Sequence, residues 1–460
     1  MPKSALQEFE AQRVLHERGE ALLKKSIQEA RRAGYLPNRK IRVALDRTPI
    51  LGQGAVKDNL LGEAIVKLGG RWAEAEGEEV TAWAQRQELS RYGGSSLKGE
   101  ATMDWDSKAQ REQLLTPIVQ DGRRVLSLAE KVKEEHPEQG EALEADAALL
   151  KRLIAQDVEE KPDGQCQIKQ GTEKDRVVSV QDPEMRHGRK SASQRFDGHK
   201  AAVAAEIESQ LISAVEVLPG NAGDQQKALE LVEQSERVME AKVEEAVGDC
   251  AYGGGPTRRA FAEAERPLTA KVPASQNGDR FPKSEFAIDL DRMEARCPAG
   301  QTTGDYRSGG EGRGGRFTFA AADCQACPLR PRCVKGQGPR TITIQAEERL
   351  QQQARAHNQT EVGRKSLRER VVVEHRIARL VGLGIRQSRY FGRKKTCFQV
   401  VMAAVVANLT LVVGFCRRQA AQAGAEAEKA SADVGNSLLV PVLSLGHRYL
   451  SWPGLAWCNG

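Results

Sequence analysis

The order of the extended runs constrains this chain most. A β-rich run, "IRVAL" from Ile41 to Leu45, is stopped by Asp46 and followed by a Pro/Gly-bearing turn. Strand texture returns only at Arg176, with "RVVSVQD", "HKAAVAAEI" and "QLISAVEVLPG" separated by turn residues. A helix from Gln225 to about Ala241, which Asp224 can cap, gives way to "VEEAVGD", a run ending at Asp249. A Gly-rich turn, a helix near Thr257 to Glu265 and a strand in "LTAKVPA" complete the series. The order β, long insertion, β, β, α, β, α, β predicts an α/β fold, a mixed sheet flanked by helices.

A chain of 460 residues is too long for one ordinary core, since domains run to roughly 100–200 residues. The expected parts are a helical N-terminal piece at 1–40 and a core at 41–60 and 176–275. A charged, alanine-rich helical insertion at 61–175 and a Cys-rich insertion at 276–340 interrupt it. Core helices at 341–418 and a poorly ordered, atypical tail at 419–460 follow. The helical pattern of the first part spans residues 4–33 (Leu6, Phe9, Val14, Leu15, Leu22, Leu23, Ile27). With 29% charged and 40% hydrophobic residues, the composition is that of a polar-surfaced protein and not of a membrane-embedded one. The start, "MPKSALQEFEAQRVLHERGE", lacks the apolar region of a secretory signal, so a reducing cytoplasm is expected. One run, "VVMAAVVANLTLVVGFC", is apolar from Val400 to Cys416, but a spanning helix needs about 20 such residues and Asn408 and Thr410 interrupt this one. It reads as a buried helix packed on a sheet.

Two β-runs end in an aspartate, Asp46 and Asp249, at what would be a sheet rim. If the strands are neighbours, the pair offers hard oxygen ligands that Mg2+ or Mn2+ prefers. Two ions about 3.5–4 Å apart clamp both the attacking and the leaving oxygen of a phosphoryl displacement. Glu374, on a helix after the last strand, is the third acid. Each residue has a plainer role when taken alone: strand-end aspartates form turns, and Glu374 can pair with Arg370 four residues earlier. Arg370, Arg376, Arg379, Arg386, Arg389, Arg393, Lys394 and Lys395 surround that glutamate along the chain. Gly382 and Gly384 break the helix before "RQSRYFGRKK", a loop shaped to meet a polyanion. A second basic segment, "RHGRKSASQRFDGHK", carries Arg189, Lys190, His187 and His199, and is either a hairpin approaching DNA or a solvated turn.

The nine cysteines include a C-x2-C pair, Cys324 and Cys327, with Cys333 close behind and Cys297 well before. Four thiolates suit tetrahedral zinc, or stand as free thiols in a loop. Cys166, Cys250, Cys397, Cys416 and Cys458 have no partner pattern. The cluster "GGEGRGG" follows no strand and opens no helix, so it is a loop and not a nucleotide fingerprint.

Five separated stretches occur in one order: "VALDRTPILGQGAVKD", "DPEMRHGRKSASQRFDGHK", "VEEAVGDCAYG", "CPAG" with "CQACPLRPRC", and "RVVVEHRIARLVGLGIRQSRYFGRKKTCFQ". From about Leu6 to Arg417 the chain thereby resembles a bacterial insertion-sequence transposase of the DDE type. The resemblance implies an RNase H-like core with Asp46, Asp249 and Glu374 as a catalytic triad holding Mg2+ or Mn2+. It implies DNA contacts from Arg370, Arg386, Arg389, Arg393, Lys394, Lys395, Arg189 and Lys190, and double-stranded DNA as partner, bound by a homodimer in a cytoplasmic, nucleoid-associated setting. Water would open a phosphodiester at the element's end, and the freed 3′-hydroxyl would then attack target DNA. The group's tyrosine, arginine, glutamate, lysine signature is met by Arg370 and Glu374, while Leu367 and Val381 stand at its outer positions and Lys395 is the nearby base able to take the lysine's work. Relatives carry a helical DNA-binding region before the first strand; about forty residues precede Asp46 here, which reads as an N-terminal truncation. The alternatives are a non-catalytic DNA-binding protein and an inactive transposase remnant.

Overall fold

The computed structural model describes residues 18–36, 40–52, 57–93, 107–171, 173–191, 193–310 and 312–434. The first part of the expected N-terminal helix, the apolar tail after Val434 and Cys458 lie outside the described residues. The chain divides into two compact units, 1–409 and 410–460.

Helix α1 (Gly19–Arg32) buries Leu23, Ser26, Ile27 and Ala30, one face at helical spacing. Strand β1 (Lys40–Leu51) is longer than the sequence suggests. It runs straight through Asp46, which is therefore inside a strand and not at its end. Pro49 would normally forbid this. Pairing with the neighbouring strand β7 stops at Ala44, however, so the donor that Pro49 lacks has no ladder partner to serve. Its carbonyl takes Arg386 Nη1 instead, at 3.1 Å.

The insertion after β1 holds α2 (Lys57–Ala75), α3 (Val80–Arg86), α4 (Lys108–Glu135) and α5 (Gly140–Asp157), then the short hairpin β2 (Val158–Glu160) and β3 (Cys166–Ile168). It has an apolar core of its own, with Trp72 and Trp83 packed edge to face at 5.4 Å between ring centres. The run "RVVSVQD" is not a strand, apart from one bridge between Val177 and Arg186. Val177 and Val180 are consumed in the core of the helical insertion, leaving no sheet edge for them to join.

The main sheet then assembles from β4 (Arg186–Arg189), β5 (Arg195–Glu206), β6 (Ile212–Pro219) and, after α6 (Ala228–Met239), β7 (Lys242–Val247). Helix α7 (Gly255–Glu263) leads to β8 (Leu268–Thr269). The order across the sheet is β6, β5, β1, β7, β8, with β4 extending along β5 beside β6. The first three strands are antiparallel and the last three parallel. In β5, Ala201, Ala202, Val203, Ala204 and Ala205 are wholly buried, as a central strand covered on both faces requires.

Residues 287–344 fold as two small sheets, β9 (Ala287–Asp289), β10 (Glu294–Arg296) and β11 (Thr302–Thr303), then β12 (Tyr306–Ser308), β13 (Gly315–Thr318) and, after the short helix α8 (Ala321–Gln325), β14 (Thr341–Ile344). The sequence reads as weakly structured here because the strands are too short for a period-2 pattern to register. Helices α9 (Glu348–Gln359), α10 (Glu361–Glu369), α11 (Val371–Leu380) and α12 (Arg393–Val434) follow. The last continues as helix past the expected boundary at 418.

By length and composition alone, residues 393–424 could cross a membrane. Up to Leu409 the helix packs on the core through Val400, Ala404 and Ala407, all fully buried. Asn408 explains the polar interruption: its Oδ1 accepts Ile212 N–H at 2.8 Å, while its Nδ2 donates to Ile212 O at 2.9 Å and to Ser26 Oγ at 3.2 Å. One side-chain amide thus closes the free edge of β6, and Gln234 Oε1 caps Val215 N–H beside it. Asn408→Leu orphans both Ile212 groups and should cost about 1–3 kcal/mol, read as a lower urea midpoint with unchanged slope.

Candidate active site

Strand residues two apart share a face, so Arg42, Ala44 and Asp46 point the same way from β1. Strand β7 lies parallel to β1 with Ala44 opposite Val247, and Asp249 follows two residues past the end of β7, at the same end of the sheet. It accepts Ala251 N–H at 2.9 Å and so shapes the turn Cys250–Gly253. Glu374 stands in the first turn of α11, a helix packed against β1. Arg370, at the start of that helix, reaches Asp46 Oδ2 at 3.6 Å and also hydrogen-bonds Glu374 Oε1.

The carboxyl of Asp46 is pushed up to about 6. Burial is the main cause; the Arg47 amide and the Arg370 guanidinium act against it, and the charges of Asp249 and Glu374 raise it further. Asp249 and Glu374 therefore both act on Asp46 despite their separation in sequence. Because the folded chain holds this proton more tightly than the unfolded one, the contribution to stability is present at low pH and is lost as pH rises from about 4 to about 6. Above that window the ionised carboxylate costs roughly 3 kcal/mol. Asp46→Asn should therefore stabilise the metal-free protein at pH 7.5 by about 1–2 kcal/mol, part of that cost being offset by the lost Arg370 contact, and by nothing at pH 4. Urea midpoints at the two pH values test this.

A charged network fixes the three elements relative to one another. Arg42 donates to Glu245 Oε2 on β7 at 2.8 Å, to Glu369 Oε2 at the end of α10 at 2.7 Å, and to Ser366 Oγ at 2.8 Å. Ser366 returns a bond to Glu245 at 3.1 Å, and Thr269 on β8 meets both Glu245 and His357 of α9. The strand of Asp46, the strand before Asp249 and the helix before Glu374 are thus tied by a single guanidinium.

The basic residues divide by their surroundings. Arg386 is engaged inside the fold, with Nη1 on Thr48 Oγ1 and Pro49 O at 3.1 Å each, while Leu51 pairs with the backbone of Arg386 and Ser388 at 2.8 Å. This adds the loop to β1 as a short extension. Arg393 is held by Glu184 through its amide (2.7 Å) and Nε (3.0 Å), and Arg376 is buried. Arg389, Lys394, Lys395, Arg189 and Lys190 are exposed. Glu184, which takes Arg393, lies two residues before β4, so the loop sits beside the start of the β4–β5 hairpin. Gly384 turns the chain into the loop at φ +93°, and Arg389 lies 2.9 Å from where a Cβ would stand. His187 bonds Asp197 at 2.8 Å on that hairpin. His199 corrects the expectation of a surface turn: it is fully buried and its Nε2 meets Asp182 Oδ2 at 2.9 Å. Burial alone would raise the Asp182 carboxyl, but His199 and the Gly392 amide outweigh it and hold it below the usual range. That aspartate therefore anchors the loop at Gly392.

Residues 296–413 match the family model of the transposase DDE domain. The match supports a DDE transposase. No curated protein and no solved structure matches the chain. The matched span holds Glu374, the basic loop and the four clustered cysteines, whereas Asp46 and Asp249 lie before it.

DDE transposases generally use divalent metal, and carboxylates such as Asp46, Asp249 and Glu374 are the donor type that a hard cation takes. As the side chains stand, among the described residues no group of three or more His, Cys, Asp or Glu is arranged to hold a metal ion. At the acids, Arg370 already bridges Asp46 and Glu374. Sequence reading missed Arg42, Glu245 and Glu369. Arg42 and Glu245 each lie four residues before an acid of the cluster, on the same strand face for Arg42, and a charge inside an apolar strand was the available signal.

Proposed function

We propose that this chain is a DNA transposase with an RNase H-like core, which cleaves strands at insertion-sequence ends and joins them to target DNA. The observation that carries the proposal is that Asp249, just past the end of β7, and Glu374 on α11 both act electrostatically on Asp46 in the adjacent strand β1, although the three come from distant parts of the chain. The strand order β6, β5, β1, β7, β8, with three antiparallel and then parallel members, supports the same core. The three carboxylates would hold Mg2+ or Mn2+, which supplies Lewis-acid stabilisation of the attacking and leaving oxygens. Arg370, released from Asp46 and Glu374, turns to a substrate phosphate. Arg389, Arg393, Lys394 and Lys395 in the loop, with Arg189 and Lys190 on the adjoining hairpin, bind the DNA backbone, and Arg386 supports the loop from within. A homodimer holding two ends, in a cytoplasmic, nucleoid-associated setting, belongs to the same reading. The test is to supply the purified protein with Mg2+ or Mn2+ and DNA carrying the inverted repeats that flank its gene. Nicked and joined products are expected. Binding of that DNA with no metal-dependent product overturns the proposal in favour of a non-catalytic DNA-binding protein.

A further inference from the structure

We propose that Cys297, Cys324, Cys327 and Cys333 form a structural zinc site that fixes the two small sheets of residues 287–344. The four arrive from separate turns. Cys297 opens the turn between β10 and β11, where its carbonyl accepts Gly300 N–H at 2.9 Å and its amide donates to Gln301 O at 2.8 Å. Cys324 lies in α8, and Cys327 starts the turn in which Arg330 N–H reaches Cys327 O at 3.1 Å and Cys333 N–H reaches Arg330 O at 2.9 Å. All four line one cavity of about 30 Å³. A space of that size admits a small ligand such as a single ion. Cys324 Sγ already accepts the Arg340 amide at 3.4 Å, the outer-shell support a metal thiolate uses. The side chains of Arg330 and Arg340 bond the carbonyls of Cys324 and Cys333 at 3.1 Å, bracing the turns that carry the sulfurs. All four are free thiols.

The apolar core here is small: Phe286, Ala295, Phe317, Phe319, Ile342 and Ile344. So little buried surface does not fix several irregular turns unaided, and a metal is the usual supplement. Among the described residues no three thiols are grouped closely enough to surround one ion, so the proposed site needs the sulfurs to close in. The thiols would bind the ion as thiolates, their protons passing to solvent. The consequence reaches α9, because Lys283 pairs with Glu348 and Gln352 donates to Ile288 O at 3.0 Å.

The test uses the full chain expressed with zinc in the medium. About one zinc per chain is expected by elemental analysis. On the native protein, alkylation mapped by mass spectrometry should spare Cys297, Cys324, Cys327 and Cys333 until a strong chelator is added, while the exposed Cys250 and Cys416 react at once. Co2+ in place of zinc should give the visible absorption of tetrahedral thiolate coordination, absent from C327S. Asp249→Asn should keep its zinc, which separates this site from the triad. Zinc well below one per chain, or equal alkylation of the four with and without chelator, overturns the proposal.

Discussion

Asp249→Asn is expected to lower metal-dependent DNA cleavage by at least about 10³-fold, equivalent to about 4 kcal/mol of transition-state stabilisation. Asparagine keeps an oxygen able to accept the Ala251 amide, so the turn Cys250–Gly253 should survive and unfolding should be little changed. It cannot supply the anionic oxygen that a divalent ion needs. If DNA is held by the exposed lysines and arginines of the loop and hairpin, as proposed, affinity should stay within about twofold, with the same salt slope. Loss of cleavage together with loss of affinity would mean that Asp249 shapes the DNA surface and not a metal site. Wild-type cleavage in the variant would remove it from the triad.

Arg42→Met should produce the largest loss of stability, about 2–4 kcal/mol. Removing one member of a buried ion pair costs about 3–5 kcal/mol, and the partial exposure of Arg42, Glu245 and Glu369, with side chains 16–27% accessible, reduces that figure. Two carboxylates lose their shared partner, and α10 is no longer tied to β1. Since α11 continues directly from α10, Glu374 should drift relative to Asp46, and a displacement of about 1 Å can cost 10²-fold in rate. Urea unfolding and strand-cleavage rates measure the two effects. Arg42→Lys should recover part of the stability but little of the rate, because an ammonium cannot bond Glu245, Glu369 and Ser366 in one plane. A variant as stable as the wild type would show that the helices are positioned by apolar packing alone.

Much of the architecture was legible where patterns were long. The apolar run of residues 201–205 in β5, the β-rich run of β6 and the helix after Asp224 were all legible from composition and turn signals. Asp249 and Glu374 stood out as acids beside apolar runs. Other features depended on partners far away in sequence. Strand β1 extends past Asp46 because it stays paired with β5 as far as Leu51, with residues 386–388 joining only at that last position, and nothing near Pro49 announces this. The run after Arg176 has strand composition, yet its valines are buried by the helical insertion. His199 sits in a stretch of basic and polar residues, but the alternation of β5 turns it inward onto Asp182. The pairing of Arg370 with Glu374 was legible from their spacing, but its reach to Asp46 was not; Arg386 read as a free cation in a basic run, and in the folded chain it holds the loop to β1. Charge counts along a sequence cannot separate a cation facing solvent from one already matched inside the fold.

Supplying Fe2+ in place of Mg2+ and generating hydroxyl radicals with ascorbate cuts the backbone close to any bound metal, and so reports which residues surround it. Cleavage near Asp46, Asp249 and Glu374 together, suppressed by excess Mg2+ and abolished in Asp249→Asn, is the predicted result. Cuts elsewhere in the chain, or cuts near only one of the three that Mg2+ does not suppress, would contradict a shared metal site.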